Sequence, residues 1–239
     1  MAPGDGLTPH HQSVVQAVLG IIRRPRSTFQ SVVSHPRWGV LLLVMTVVSA
    51  GAGLALMATP VGRQALVDQW ERTAVAFGQD VNDDEYARLE ALSDRGAAGY
   101  ALLSALISGP VLTLAVAALL KVAFRGGATF GQVMAVATHA GVILAARQVV
   151  AAPVSYVRES TSSATSLGSW FSMLDEASLV ARFLGALDLF VIWWAIVLAI
   201  GVAVLYRRRA RTVAVMFVGV YAALALLLAI AMAVTGGSA

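Results

Sequence analysis

Three ionisable side chains stand inside long apolar stretches of this sequence: His139, Arg147 and Asp188. A charge in hydrocarbon is costly, so such a group is paired or it works on a proton, an ion or a substrate. Arg147 and Asp188 each fall about five residues inside the same membrane edge, which at about 1.5 Å per residue puts them at similar depth. Three arrangements fit them: an ion pair that fixes how two helices dock, a relay for a proton or substrate, or two side chains that each turn toward outer water. His139 is deeper, about 13 residues from that edge on the same helical count. Its common solution in a bundle is a bond to a helix carbonyl or to a Ser or Thr hydroxyl. One histidine and one distant aspartate are too few ligands for a metal, and no cofactor is expected.

Two intramembrane enzyme chemistries fail on residue type. Gly185-Ala186-Leu187-Asp188 loosely resembles an aspartyl-protease motif, but that chemistry needs two carboxylates sharing a proton and no second acid lies in an apolar run. Ser104 and Ser108 precede His139 by one helix, yet no nucleophile motif surrounds them. No Gly-rich loop with Lys-Ser/Thr is present for nucleotide phosphates, so ATP or GTP use belongs to a partner. With no cysteine, thiolate chemistry is excluded. The chain is expected to be no enzyme.

Pro110, after Gly109, interrupts an apolar helix and frees a carbonyl near its middle, as discontinuous helices do around transporter sites. Trp193 and Trp194 fall mid-helix instead of at an interface; a buried indole N–H seeks a partner, which argues for helix contacts there. Gly51 and Gly53 permit close helix packing.

These residues need helices in lipid to hold them. The chain is 58% hydrophobic and 13% charged, against about a quarter charged in a soluble domain. Five runs, 38–58, 99–120, 130–152, 183–206 and 212–234, reach the roughly 20 apolar residues that cross about 30 Å of hydrocarbon. They are continuously apolar and do not alternate, so the expected fold is all-α: a bundle of five membrane-spanning helices. His139, Arg147 and Gln148 make the third run the least regular. The first run is too long and begins too late for a cleaved signal peptide, despite small residues at Ala50 and Ala52.

Basic residues set the orientation. Arg23, Arg24, Arg26, Arg37, Lys121, Arg125, Arg207, Arg208, Arg209 and Arg211 fall on one side. Arg63, Arg72, Arg88, Arg95, Arg158 and Arg182 fall on the other, diluted in two long loops among Asp68, Glu71, Asp80, Asp83, Asp84, Glu85, Glu90 and Asp94. The expectation is an N-terminus in the cytoplasm and a C-terminus outside. Arg207, Arg208, Arg209 and Arg211 then form a cytoplasmic basic anchor that also suits anionic lipid. Four arginines in one short turn make no groove-reading module, and no nucleic acid is expected as partner.

Residues 1–36 are expected to form a cytoplasmic amphipathic segment, and 37–239 the membrane domain. Val14, Val15, Val18, Leu19 and Ile22 recur at helical spacing beside Gln12, Ser13 and Gln16, and Pro25 stops that piece. A second piece is expected to be capped by Ser27, with Gln30 three residues on, and to bury Phe29, Val32 and Val33. Pro25, Phe29 and Trp38 then place the segment, either on the membrane surface or against the ends of the bundle. Outer loops are expected at about 59–98 and 153–181. The first carries an apolar stripe, Leu66, Trp70, Thr73, Ala74 and Phe77, that suits a small helical cap. The second is rich in Ser and Thr and then offers Trp170, Phe171 and Met173 as an interfacial anchor.

Three separated motifs resemble the Yip1 family of small polytopic membrane proteins. They are Arg24-Pro25-Arg26-Ser27-Thr28-Phe29 leading to His35-Pro36-Arg37-Trp38; Phe124-Arg125-Gly126-Gly127-Ala128-Thr129-Phe130-Gly131-Gln132 running into Ala137-Thr138-His139-Ala140; and Leu187-Asp188-Leu189-Phe190-Val191-Ile192-Trp193 with Ile200-Gly201 following. Their order and spacing cover most of the chain, and the resemblance implies five helices. Members often have a proline soon after the third-helix motif, whereas this chain reads Gly141-Val142-Ile143-Leu144 and holds its proline back to Pro153. The resemblance also implies scaffolding or trafficking with a membrane protein partner, such as an export system or a GTPase, and no established catalysis. The many Ala and Arg residues and the short loops suit a bacterial inner membrane. The expected function is therefore a scaffold or accessory protein of a transport or trafficking assembly in contact with membrane lipids, possible also as a homo-oligomer. The alternative is a small permease with a polar path near Pro110, His139, Arg147 and Asp188.

Overall fold

A computed structural model describes residues 14–124, 126–158, 165–171, 175 and 178–236. The expectations placed on Gln12, Ser13, Arg125, Met173 and residues 160–164 lie outside them. The described residues are helical, with no strand beyond one isolated bridge between Ser166 and Asp188. Helices α1 (Val14–Arg23) and α2 (Pro25–Ser34) precede the first span, α3 (Gly39–Met57). A helical hairpin follows, made of α4 (Pro60–Ala76) and the first half of α5 (Asp83–Leu106). A π-helical turn at Ile107–Val111 joins α5 to α6 (Leu112–Ala123), and then come α7 (Phe130–Arg158), α8 (Leu179–Ala186), α9 (Leu189–Leu205) and α10 (Ala210–Gly236). The all-α expectation holds.

Among the described residues four helical runs are long and apolar enough to cross a membrane, Gly39–Met57, Asp83–Ala123, Phe130–Val157 and Ala210–Thr235, and Leu189–Leu205 is a shorter apolar helix. Helix α7 is the axis of the bundle, packing against α3, α6 and α9. Of its most apolar stretch 61% is buried, against 17–28% in the other three long spans. The core joins Val133, Val136 and Ile143 of α7 to Val197, Leu198 and Val202 of α9. Outward faces are apolar too: Val40, Leu43 and Val47 on α3, Val122 on α6 and Leu227 on α10 are all exposed. An apolar surface on both sides of a helix fits a lipid solvent and no aqueous one.

The helix ends follow from local chemistry. Thr59 caps α4 by accepting from the Gly62 N–H at 3.0 Å, with Pro60 at the first helical position, where its missing N–H costs nothing. Asn82 caps α5 by accepting from the Glu85 N–H at 3.0 Å, and Asp83, Asp84 and Glu85 place negative charge on the positive end of that helix. Helix α7 opens with a capping box: Thr129 N–H donates to Gln132 Oε1 at 2.9 Å, and Gln132 N–H donates back to Thr129 Oγ1 at 3.3 Å.

Several expectations change. Helix α5 begins at Asp83, ahead of the apolar run that starts near 99, and with α4 it makes the helical cap expected of the first loop a helical hairpin; Leu66 is fully buried against Met57, Ala97 and Ala101. Helix α7 continues through Pro153 to Arg158, which shortens the second loop. Ser27 does not cap α2. That helix starts two residues earlier at Pro25, and Ser27 Oγ donates to the Arg24 carbonyl at 3.1 Å. The run 183–206 is not one helix: it breaks at Leu187 and Asp188, leaving α9 with 17 residues, about 25 Å.

Candidate functional site

The break between α8 and α9 is the most polar feature inside the bundle. Leu187 (φ −89°, ψ 113°) and Asp188 (φ −105°, ψ 129°) are extended, and a helix interrupted in apolar surroundings must find other partners for its backbone. Residues 165–167 supply them as a short antiparallel bridge. Leu167 N–H donates to the Leu187 carbonyl at 2.7 Å, and Leu189 N–H to the Thr165 carbonyl at 3.0 Å. Tyr221 of α10 completes the accounting: its hydroxyl accepts from Asp188 N–H and donates to the Ala186 carbonyl, both at 2.9 Å.

The Asp188 side chain does two jobs at once. Its Oδ1 caps α9, accepting from Phe190 N–H at 2.8 Å and Val191 N–H at 3.3 Å. Its Oδ2 accepts from Arg147 Nε at 2.8 Å and from Thr165 Oγ1 at 2.6 Å. A carboxylate accepts through both oxygens, and here each oxygen is engaged by donors of this chain. The Asp188 side chain is 8% exposed and that of Arg147 30%. Chemically the cluster is a clamp of α7, the 165–171 segment and α9 on one another. Thr165 and Tyr221 were not singled out from sequence. Thr165 is hidden in a Ser/Thr-rich run, while a lone phenol in the apolar α10 was a legible signal.

Arg147 also borders a cavity of about 220 Å³ between α3, α4, α5 and α7, where Ser49, Tyr100, Ser104 and Gln148 add polar atoms. Pro110, His139 and Asp188 are not among the residues that line it. His139 is buried in α7 with Nδ1 2.7 Å from the Ala135 carbonyl; a carbonyl only accepts, so Nδ1 carries a proton. Ser108 Oγ donates to the Ser104 carbonyl at 2.7 Å. Pro110 sits in the π-helical turn, which widens the helix around it and leaves α5 and α6 continuous. Trp193 and Trp194 are half-buried and pack on the main core, Trp193 with its ring 6.0 Å from that of Phe190. Among the described residues no group of three His, Cys, Asp or Glu side chains is placed to hold a metal.

At the opposite end lie the remaining residues. Phe29 is fully buried within the core against Gly201 and Val136, so of the two placements left open for α2 the structure takes the one against the bundle. Pro25 opens α2, and Trp38 precedes α3 and packs on the same core. Helix α2 is therefore continuous with the membrane domain in packing. Arg207, Arg208, Arg209 and Arg211 are exposed around the α9–α10 turn. Gln132 Nε2 donates to the Val33 carbonyl at 3.1 Å, Lys121 donates to the Ala128 carbonyl, and Phe124 stacks on Tyr206 at 5.2 Å.

The three motifs thus meet along α7: Phe29 of the first shares its core, Gln132 of the second belongs to it and bonds to Val33, and Asp188 of the third pairs with its Arg147. Comparison with known families agrees, since the Yip1 domain matches residues 19–232. The chain belongs to the Yip1 family. A Yip1 domain of this extent, with apolar helices of spanning length, makes it an integral membrane protein, and the family suggests involvement in trafficking. No curated protein and no solved structure matches the chain.

Proposed function

We propose that this Yip1-family protein is a scaffold or accessory component of a membrane transport or trafficking assembly, without catalytic activity of its own. The observation that carries the reading is the engagement of Asp188: both carboxylate oxygens accept from donors of this chain, Arg147 and Thr165 at one and the Phe190 and Val191 N–H groups at the other, and these contacts join helices. A relay would need at least one of those contacts to give way on each cycle. Basic residues concentrated at 23–37, 121–125 and 207–211 support an N-terminus in the cytoplasm and a C-terminus outside, and the many Ala and Arg residues and short loops suit a bacterial inner membrane. The partners are membrane lipids and a membrane protein such as an export system or a GTPase.

Crosslinking in the native host at native expression, followed by purification in mild detergent and mass spectrometry, tests this. Stoichiometric recovery of transport or GTPase subunits is the expected result. The cavity beside Arg147 favours the second reading, a small permease. Recovery of the chain alone, with Asp188→Asn accumulating normally yet abolishing a proton- or solute-coupled flux, would overturn the scaffold in its favour.

A further inference from the structure

The turn between α9 and α10 places an arginine where glycine is the ordinary residue. Arg208 N–H donates to the Ala203 carbonyl at 2.9 Å, closing a Schellman motif, and Arg207 holds its left-handed position at φ 52°. A Cβ in that conformation crowds the following carbonyl, so glycine suits the backbone better than the arginine that stands there. Arg207, Arg208 and Arg209 stand side by side and exposed, and among the described residues their side chains have no ion-pair or hydrogen-bond partner.

These three side chains form one rim of an open groove of about 1310 Å³, whose other wall is formed by Phe124, Gly126, Gly127 and Ala128. The sequence has no Asp or Glu between residues 6 and 67, between 95 and 158, or after Asp188, so every segment bordering the groove lacks an acid. On the far wall Gly127 leaves the backbone open: a Cβ there meets nothing within 4 Å. The start of α10 adds the unpaired N–H groups and positive dipole end of a 27-residue helix. One side of the groove is apolar, at Val213 and Met216, and from Met216 an exposed apolar stripe runs down α10 through Val220, Leu224 and Leu227.

We propose that this groove binds the phosphate-bearing headgroup of an anionic phospholipid, with the acyl chains following the α10 stripe. A free anion would use the cationic rim alone; the apolar wall leading into the lipid-facing side of α10 selects the lipid. The site needs no protein partner, so it stands or falls separately from the scaffold reading.

The test is native mass spectrometry of the purified full-length chain with added phosphatidylglycerol or phosphatidylcholine. Two variants separate a built site from diffuse charge. Arg207→Gly removes one guanidinium while suiting the backbone, and Gly127→Leu keeps every arginine but fills the groove from a position with room for a side chain. Preferential retention of phosphatidylglycerol is expected, lowered about fivefold by Arg207→Gly, the effect of one basic side chain beside an anionic lipid, and lowered also by Gly127→Leu. Equal retention of both lipids, or phosphatidylglycerol retention unchanged in both variants, would overturn the proposal. So would displacement of the lipid by millimolar inorganic phosphate or glycerol phosphate, or a bound mass equal to a second copy of the chain in place of lipid.

Discussion

Arg147 and Asp188, 41 residues apart in the chain, meet at 2.8 Å from Nε to Oδ2, and through that contact the middle of α7 holds the start of α9. The pair is asymmetric. Asp188 is nearly enclosed and capped by backbone, while Arg147 keeps part of its side chain open. Loss of either partner is therefore felt differently.

Asp188→Ala removes both the cap and the ion pair, whereas Asp188→Asn keeps a competent cap but loses the charge and puts an amide NH2, a donor, where Oδ2 accepted from Arg147 and Thr165. Asparagine caps about as well as aspartate, and a lost cap alone costs about 1 kcal/mol. Thermal unfolding in detergent should rank wild type above Asp188→Asn and Asp188→Ala lowest. A double-mutant cycle with Arg147→Gln should return a coupling of about 0.5–3 kcal/mol; a coupling near zero would show that the contact does not hold the helices.

Tyr221→Phe leaves the Asp188 N–H and the Ala186 carbonyl without their partner at a buried break. An unsatisfied buried group costs about 1–3 kcal/mol, so this single oxygen should lower the unfolding temperature measurably. Faster hydrogen exchange confined to residues 165–189 is the accompanying signature.

Gly201→Ala inserts a methyl 2.7 Å from Val136 Cγ1 and 2.9 Å from Phe29 Cε1. Overpacking of this kind costs about 1–3 kcal/mol, and the element able to give way is α2. The chain has no cysteine, so one introduced at exposed Ser34 reports on this docking without background. Labelling at Ser34 should rise in Gly201→Ala and fall again when Phe29→Leu is added.

Arg207→Gly should raise stability by about 1 kcal/mol, because the left-handed conformation is unfavourable for a residue with a Cβ. An unfolding temperature that drops instead would mean that the guanidinium has a structural partner.

Orientation is checked with the same cysteine-free background. Single cysteines at Ser34 and at exposed Gln79 should react with an impermeant reagent from opposite sides of the membrane, Ser34 from the cytoplasm. Reaction of both from one side would overturn the assigned topology.

Much of this arrangement could be read in the residues. Apolar runs long enough to span gave the helices, because in lipid the backbone has no other solution for such lengths. The break at Asp188 was not legible. Its residues are apolar and helix-compatible on both sides, and what opens the helix is tertiary: a bridge from Thr165–Leu167 and a hydroxyl from Tyr221, neither local in sequence. The depth count put Arg147 and Asp188 level because it depends only on rise per residue. It could not supply Thr165, whose neighbours in sequence carry no periodicity. The placement of Phe29 needed Gly201, a residue whose role is to be absent at one point of the α9 surface.

The π-helical turn at Ile107–Val111 has a consequence for the α4–α5 hairpin. A turn of this kind holds one residue more than an α-helical turn, and each residue advances a helix by about 100° and 1.5 Å. The phase of α5, which carries Tyr100 and Ala101 toward α3 and α4, is thereby offset from that of α6, which must present Lys121 to the Ala128 carbonyl. Gly109, whose Cβ would lie 2.9 Å from Thr46 Oγ1, keeps the widened turn against α3. Deleting one residue here would leave a well-formed helix pointing the wrong face at one of its two ends, so a relative that lacks Gly109 and Pro110 should also be one residue shorter between the positions of Ala101 and Lys121.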